Sequence, residues 1–277
     1  MIQISGKPLQ QNDIGLTSNT QNMIVKLMLE SPLVYEYQTL EDLSFELKLR
    51  ENITLSAQMM YRSGAQFAVF ENSRCNPRYW LLTNVGGFQL KQDVKPSEAI
   101  LDIFRNGSHY AFECAGAMLI IYYHAALNLI GEFSFNQLFS NIYIYSWNSD
   151  PDLGLGSSYL DVFLPGDIVY FNNPDFDPRG PNWRGENAVV LGNGLYFGHG
   201  PGIVRAEQII KGLNGLRKPR AKQSAYLMNI VVRPSFKNLK KLALLPDYSV
   251  RKYQPVIIHH SEGSISFDRY WSFVIGY

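Results

Sequence analysis

The residues best equipped for covalent chemistry lie in one stretch, Tyr110-Ala111-Phe112-Glu113-Cys114-Ala115-Gly116-Ala117. A cysteine heads a long apolar run there, with an acid just before it and small residues just after. The first turn of a helix leaves its N–H groups unpaired and carries the positive end of the dipole. Both effects favour a thiolate, so Cys114 is expected to be a better nucleophile than an ordinary cysteine. Ala115, Gly116 and Ala117 leave room for a substrate to reach the sulfur. The plain alternative is a buried core filler, the commoner fate of a free cysteine. The other cysteine, Cys75, sits in a polar turn without a helix start or an acid–base neighbour and is a bystander.

A nucleophilic cysteine needs a partner that takes and returns a proton. The chain offers five histidines. His124 lies too far down the apolar run, and nothing supports His109. His259 and His260 are neighbours that would point to opposite faces of a strand, so they make no zinc pair. His199 ends a hairpin turned by Asn193-Gly194, a strong two-residue turn signal that pairs Gly192 with Leu195. Counting outward places Glu186 across from Pro201, sharing a face with His199 as a diagonal neighbour about 7–8 Å away by backbone. A three-residue turn would put the two on opposite faces. In the favoured register a carboxylate and an imidazole face one point, available to Cys114.

The elements that must carry these residues follow from periodicity. Apolar spacing predicts helices over 21–29 and 39–62, the second capped by Thr39 with Asp42 and closed by Gly64. Strands are expected at 66–70, 79–83 and 88–90, and a Ser97-capped helix to about Arg105, closed by Gly107. The Cys114 helix runs to about Ile130. It contains His124 and Asn128 and falls short of the roughly 20 apolar residues of a membrane span, so it is a buried central helix. Residues 137–147 are part helix and part strand, and 150–158 form the best internal break. Beyond it the chain turns mostly β, with strands at 167–171, 187–191, 195–199 and 226–232 and a helix at 206–216. In the tail, strands are expected at 256–258 and 271–275.

Composition narrows the classes. The 277 residues are 46% hydrophobic with net charge +1, enough for a large core and with no field that argues for nucleic acid or an anionic membrane. Two cysteines and a start without a charged or apolar leader point to a reducing compartment. Asp175, Asp177, Gly180 and Glu186 resemble a calcium loop, but Arg179 replaces an oxygen ligand, Pro178 stiffens the loop, and no metal is expected.

At this point several motifs together are recognisable. Tyr110-Ala111-Phe112-Glu113-Cys114-Ala115, Phe176-Asp177-Pro178, Trp183-Arg184-Gly185-Glu186-Asn187, Tyr196-Phe197-Gly198-His199-Gly200 and Gln223-Ser224-Ala225-Tyr226-Leu227 resemble the Bacillus-type spore-coat protein-glutamine gamma-glutamyltransferases, the bacterial transglutaminases. The likeness runs from about Ser5 to Val232. It implies acyl transfer from a protein glutamine to a lysine amine, with release of ammonia and no calcium or other cofactor. It implies an α+β fold with an NlpC/P60 papain-like core: a Cys-bearing helix on a mostly antiparallel sheet, preceded by N-terminal helices. A single domain, 1–277, would comprise helices and a hairpin (1–107), the catalytic core (108–232) and a packed tail (233–277).

The family's functional residues map onto Cys114, Glu186 and His199, with Glu113 as a possible auxiliary acid or, on the plain reading, a helix-start carboxylate. His199 could orient Glu186 or be the base itself. A thioester that must outlive water needs apolar walls; Tyr110, Phe112, Trp147, Trp183, Tyr196 and Phe197 are the candidates, and Asn187 is placed in the same substrate channel. The implied partners are spore-coat proteins bearing Gln and Lys, met in the sporulating mother cell and then the coat. An NlpC/P60-type cysteine peptidase or amidase is the rival, although it usually carries His at the Glu186 position; a non-catalytic coat protein is the other.

Overall fold

The structure is a computed structural model and describes residues 1–10, 14–16, 18–245 and 257–276. The chain opens with strands β1 (Ile2–Ile4) and β2 (Lys7–Pro8), then helix α1 (Asn19–Glu30) and β3 (Tyr35–Tyr37). Strand β1 pairs with β2 antiparallel and with β3 in parallel. Helix α2 (Leu40–Ser63) begins and ends as its sequence dictates. Thr39 accepts from the Asp42 N–H while Asp42 accepts from the Thr39 N–H, and Gly64 closes it at φ 84. Short strands β4 (Gln66–Phe67), β5 (Trp80–Leu82) and β6 (Phe88–Leu90) lead to α3 (Pro96–Arg105). Ser97 is buried inside α3 instead of capping it, since Pro96 already occupies the first turn.

Strand β7 (Ala111–Phe112) pairs with β4 and delivers the chain to α4 (Cys114–Leu138). That helix continues past Ile130 to Leu138 through a kink at Gly131, φ 80. By length and composition α4 could cross a bilayer, but 78% of its most apolar window is buried inside the protein. Strand β8 (Tyr143–Ile144) pairs with β6. The expected break contains a strand instead, β9 (Gly156–Tyr159). The main strands follow: β10 (Ile168–Asn172), β11 (Gly185–Gly192), β12 (Leu195–Gly198) and β13 (Gly202–Arg205), then helix α5 (Ala206–Asn214) and β14 (Tyr226–Arg233).

These strands form one six-stranded sheet in the order β13-β12-β11-β10-β14-β9, with every pair antiparallel. Its two faces sort by alternation. Ile168, Val189, Phe197 and Val232 join the core of α4, whereas Val169, Phe171, Ala188 and Val190 pack with Ile209 and Leu213 of α5. The result is an α+β fold with the Cys114 helix on one face of a mostly antiparallel sheet. Helix α2 is tied to that sheet by a buried charge cluster. Arg50 donates to Asp167 at 2.7 Å and to Glu46 at 2.8 Å, and Arg233 grips the same Asp167 carboxylate at 2.6 and 2.7 Å.

Two further helices close the chain, α6 (Phe236–Ala243) and α7 (Phe267–Ile275). The strand expected at 271–275 is thus part of a helix. Ser266 caps it by accepting from the Arg269 N–H, and Phe267 and Tyr270, three residues apart, bury one face. Of the strand expected at 256–258, residue 256 lies outside the described residues and the other two form none.

Candidate active site

Cys114 is the first residue of α4 and has no exposed surface. Glu113 is the N-cap: its Oε2 accepts from the Ala115 N–H at 2.9 Å and its Oε1 from the Gly116 N–H at 2.7 Å. The plain reading of Glu113 is therefore met, and it changes the thiol. The two amides expected to favour a thiolate are spent on a carboxylate. The Cys114 thiol is pushed well above its ordinary value by burial first, then by the charges of Glu186 and Glu113. Burial therefore favours the protonated thiol, where the sequence led to the expectation of a thiolate. Glu113 is itself raised by burial, against the pull of those two amides.

The sulfur's partner from the sheet is Asn187, whose Nδ2 donates to Sγ at 3.2 Å and to the Ile265 carbonyl at 2.9 Å. Asn187 and Val189 share the face of the sheet turned to α4. Tyr170, on the neighbouring strand, donates to the Ser264 carbonyl at 2.8 Å. Trp147 donates through Nε1 to the Ile265 carbonyl at 3.0 Å. Ser264 and Ile265 thus complete the enclosure of the thiol, although nothing in the local sequence of the tail marks them.

The hairpin places Glu186 and His199 differently from the simple count. Gly192 does pair with Leu195, but a bulge between Val190 and Gly192 makes Ala188 oppose Gly198. One extra residue shifts every later pairing by one, which brings His199 level with Asn187 and Glu186 level with Gly200. The imidazole of His199 lies flat on Phe112, centroids 4.6 Å apart and planes at 7°, and its Nε2–H donates to the Gln66 carbonyl at 3.0 Å. Half-buried against Phe112 and Phe67, it is pushed down to about 4 by burial. What reaches Glu186 is the main chain: the Gly200 N–H at 3.5 Å and the N–H of His199.

Glu186 is buried, and burial pushes its carboxyl up to about 8, with the Glu113 charge adding to the shift. Its carboxyl fits against glycine. A Cβ at Gly198 would come within 2.8 Å of Oε1. It also borders a cavity of about 350 Å³ walled by Phe67, Trp183, Pro201 and Leu213.

The remaining candidates separate. Tyr110 is core, donating to Asp102 at 2.5 Å. Tyr196 meets Phe171 on the α5 face, and Phe197 is buried against α2 beside Tyr61. Trp147, Trp183, Asn187 and Phe112 stand around the site. Of the passed-over histidines, His124 is buried and bonds Ser56 at 2.8 Å. The calcium-like loop has its oxygens engaged: Asp175 by Lys218 and the amides of Lys222 and Gln223, Asp177 by Arg179. Among the described residues no cluster of His, Cys, Asp and Glu could hold a metal.

With this geometry in place, the family model described as protein-glutamine gamma-glutamyltransferase matches residues 1–243. The chain belongs to this family. A protein-glutamine gamma-glutamyltransferase of Halalkalibacterium halodurans is 47% identical over 267 residues, 96% of this chain and 94% of the relative. One of Bacillus mycoides is 44% identical over 226 residues, 82% of each. A solved structure, the transglutaminase from Geobacillus stearothermophilus without its C-terminal extension, is 47% identical with a TM-score of 0.71, covering 74% of this chain and 98% of that one. As a protein-glutamine gamma-glutamyltransferase, the protein joins protein glutamine to lysine amine in an isopeptide cross-link. A transglutaminase must therefore bring two protein side chains to a sulfur that this conformation encloses completely.

Proposed function

We propose that Cys114 forms the thioester, that Glu186 moves the proton, and that Glu113 and Asn187 hold the sulfur in place. Sγ attacks the glutamine carboxamide carbon, the C–N bond breaks, and the thiol proton leaves with ammonia by way of Glu186. The lysine amine then attacks the thioester, the C–S bond breaks, and the proton given up by the amine returns the thiol. The observation that carries this reading is the buried carboxyl of Glu186 with its value near 8, close to working pH, where proton transfer in both directions is efficient. A neutral thiol calls for such a base at the moment of attack. The cavity beside Glu186 suits a lysine side chain, with apolar walls for its methylenes and an acid for its amine. His199 serves through its main chain, and its imidazole braces Phe112.

The arrangement of a Cys-headed helix against the β10–β11 pair supports kinship with the NlpC/P60 core and one domain over 1–277, with 1–107, 108–232 and 233–277 as its parts. The substrates would be spore-coat proteins, cross-linked without calcium, in the mother cell and later the coat. The test is incorporation of a fluorescent amine into a glutamine-bearing protein, with and without a chelator. Cys114→Ala is expected to abolish it, Glu186→Gln to slow it by about 10²–10⁴-fold, and His199→Ala to slow it less than Glu186→Gln. A Glu186→Gln enzyme with a near-normal rate would exclude the shuttle.

A further inference from the structure

The activity requires a protein-borne glutamine at Sγ, yet Cys114 has no exposed surface. Part of the enclosure comes from one segment, residues 257–276, beside Glu113 and the sheet residue Asn187. Its hold on the site is made by main-chain carbonyls. That of Ile265 takes the N–H groups of Asn187 and Trp147 together, and that of Ser264 takes the Tyr170 hydroxyl. Since Asn187 also donates to Sγ, the Ile265 carbonyl shares a donor with the nucleophile. Two N–H groups converging on one carbonyl beside the sulfur form the arrangement that a substrate carbonyl needs there.

The fit is incomplete. The donors are satisfied, but Asn187 Oδ1 is buried without a partner among the described residues. Ile265, Phe267 and Tyr270 of the segment are buried in the main core, and at its rim charged and polar pairs hold it. Asp268 accepts from Ser157 and Tyr159, and Glu262 pairs with Arg184, while its pair with Arg269 lies within the segment. Contacts of that kind are individually weak. The nine-residue α7 is too short to be stable in isolation. Residues 257–276 also contain neither glutamine nor lysine. They can supply neither the acyl group nor the amine of the enzyme's own reaction, so they can occupy the site without being consumed by it.

We propose that residues 257–276 are an autoinhibitory arm whose Ser264–Ile265 main chain stands in the place of the glutamine-bearing segment, and that substrate must displace it. This rests on Cys114 being the nucleophile. The closed arm lowers the competent fraction, and apparent activity falls with it.

The test uses the full chain. Phe267 is buried edge-on to Trp147 with centroids 5.4 Å apart, and Phe267→Asp removes that anchor. Alkylation of Cys114 by iodoacetamide, followed by peptide mapping to separate it from Cys75, and amine incorporation should both rise by roughly tenfold, the effect of about 1.4 kcal/mol of lost docking. A synthetic peptide of residues 257–276 should bring both rates back down. If Phe267→Asp fails to fold by circular dichroism, Glu262→Gln, which removes only the pairs to Arg184 and Arg269, should raise both rates less but in the same sense. Unchanged or lower rates in a folded variant whose arm amides exchange faster with solvent would overturn the arm. Activity retained by Cys114→Ala would overturn the nucleophile instead.

Discussion

Glu186 is under two constraints that meet in one carboxyl. Burial raises it, and the glycine at 198 leaves the space it fills. If it acts as a base it must be ionised, so the rate of amine incorporation should climb with pH and reach half its plateau near 8. The profile belongs to the coupled carboxylates of Glu186 and Glu113, and Glu186→Gln should remove it. The same residue has a stability cost of opposite trend. Its folded value lies above the unfolded one, near 4.3, so its contribution to stability falls as pH rises from there to about 8 and is constant beyond. Gly198→Ala makes a separate point: the new Cβ meets Glu186 Oε1 at 2.8 Å and Pro201 Cγ at 2.7 Å. Amine incorporation should drop, and thermal melting would show a smaller change than for a core truncation, because the carboxyl can swing toward the cavity. At this scale the sequence named Cys114, Glu186 and His199. It led to the expectation of a thiolate, whereas burial, which the fold decides, pushes the thiol up. It misassigned the imidazole because a bulge one residue long turned it toward Phe112.

Among the elements, α2 and the sheet are joined by the buried cluster of Arg50, Asp167, Glu46 and Arg233. Burial alone would raise Asp167, but Arg50 and Arg233 outweigh it and hold the carboxyl below the ordinary range. Its contribution is complete above the unfolded value near 3.9 and is lost as pH falls through the lower folded one. Arg50→Ala should destabilise the protein by about 3–5 kcal/mol in urea titration, because it removes one of the two cations on a buried carboxylate and leaves a buried hole. The helices were legible where they carry their own punctuation: Thr39, Asp42 and Gly64 delimit α2 within a residue. Strand β9 and helix α7 were not. Gly156-Ser157-Ser158-Tyr159 is exposed throughout and becomes a strand only by pairing with β14. Trp271-Ser272-Phe273-Val274-Ile275 has strand composition, but the Ser266 cap and the docking of Phe267 make it helical.

For the whole molecule, order should be graded. Strands β10 and β11 are interior to the sheet and covered on both faces, whereas 257–276 adhere through surface pairs and one buried side. Hydrogen exchange should find β10 and β11 the best protected amides and those of 257–276 opening at far lower cost. Equal protection of the two would contradict a separable arm. The sequence by itself determined the family chemistry and the α+β plan and pointed to Cys114 as the candidate nucleophile, because motifs, caps and apolar periodicity act between residues close along the chain. Only the tertiary structure decided the resting state of the thiol, the partner at the sulfur and the closure of the site. Those depend on which groups meet across the fold: Glu113 on its own helix start, Asn187 from the sheet, and Ile265 from a tail whose carbonyls carry no trace of their role in side-chain identity.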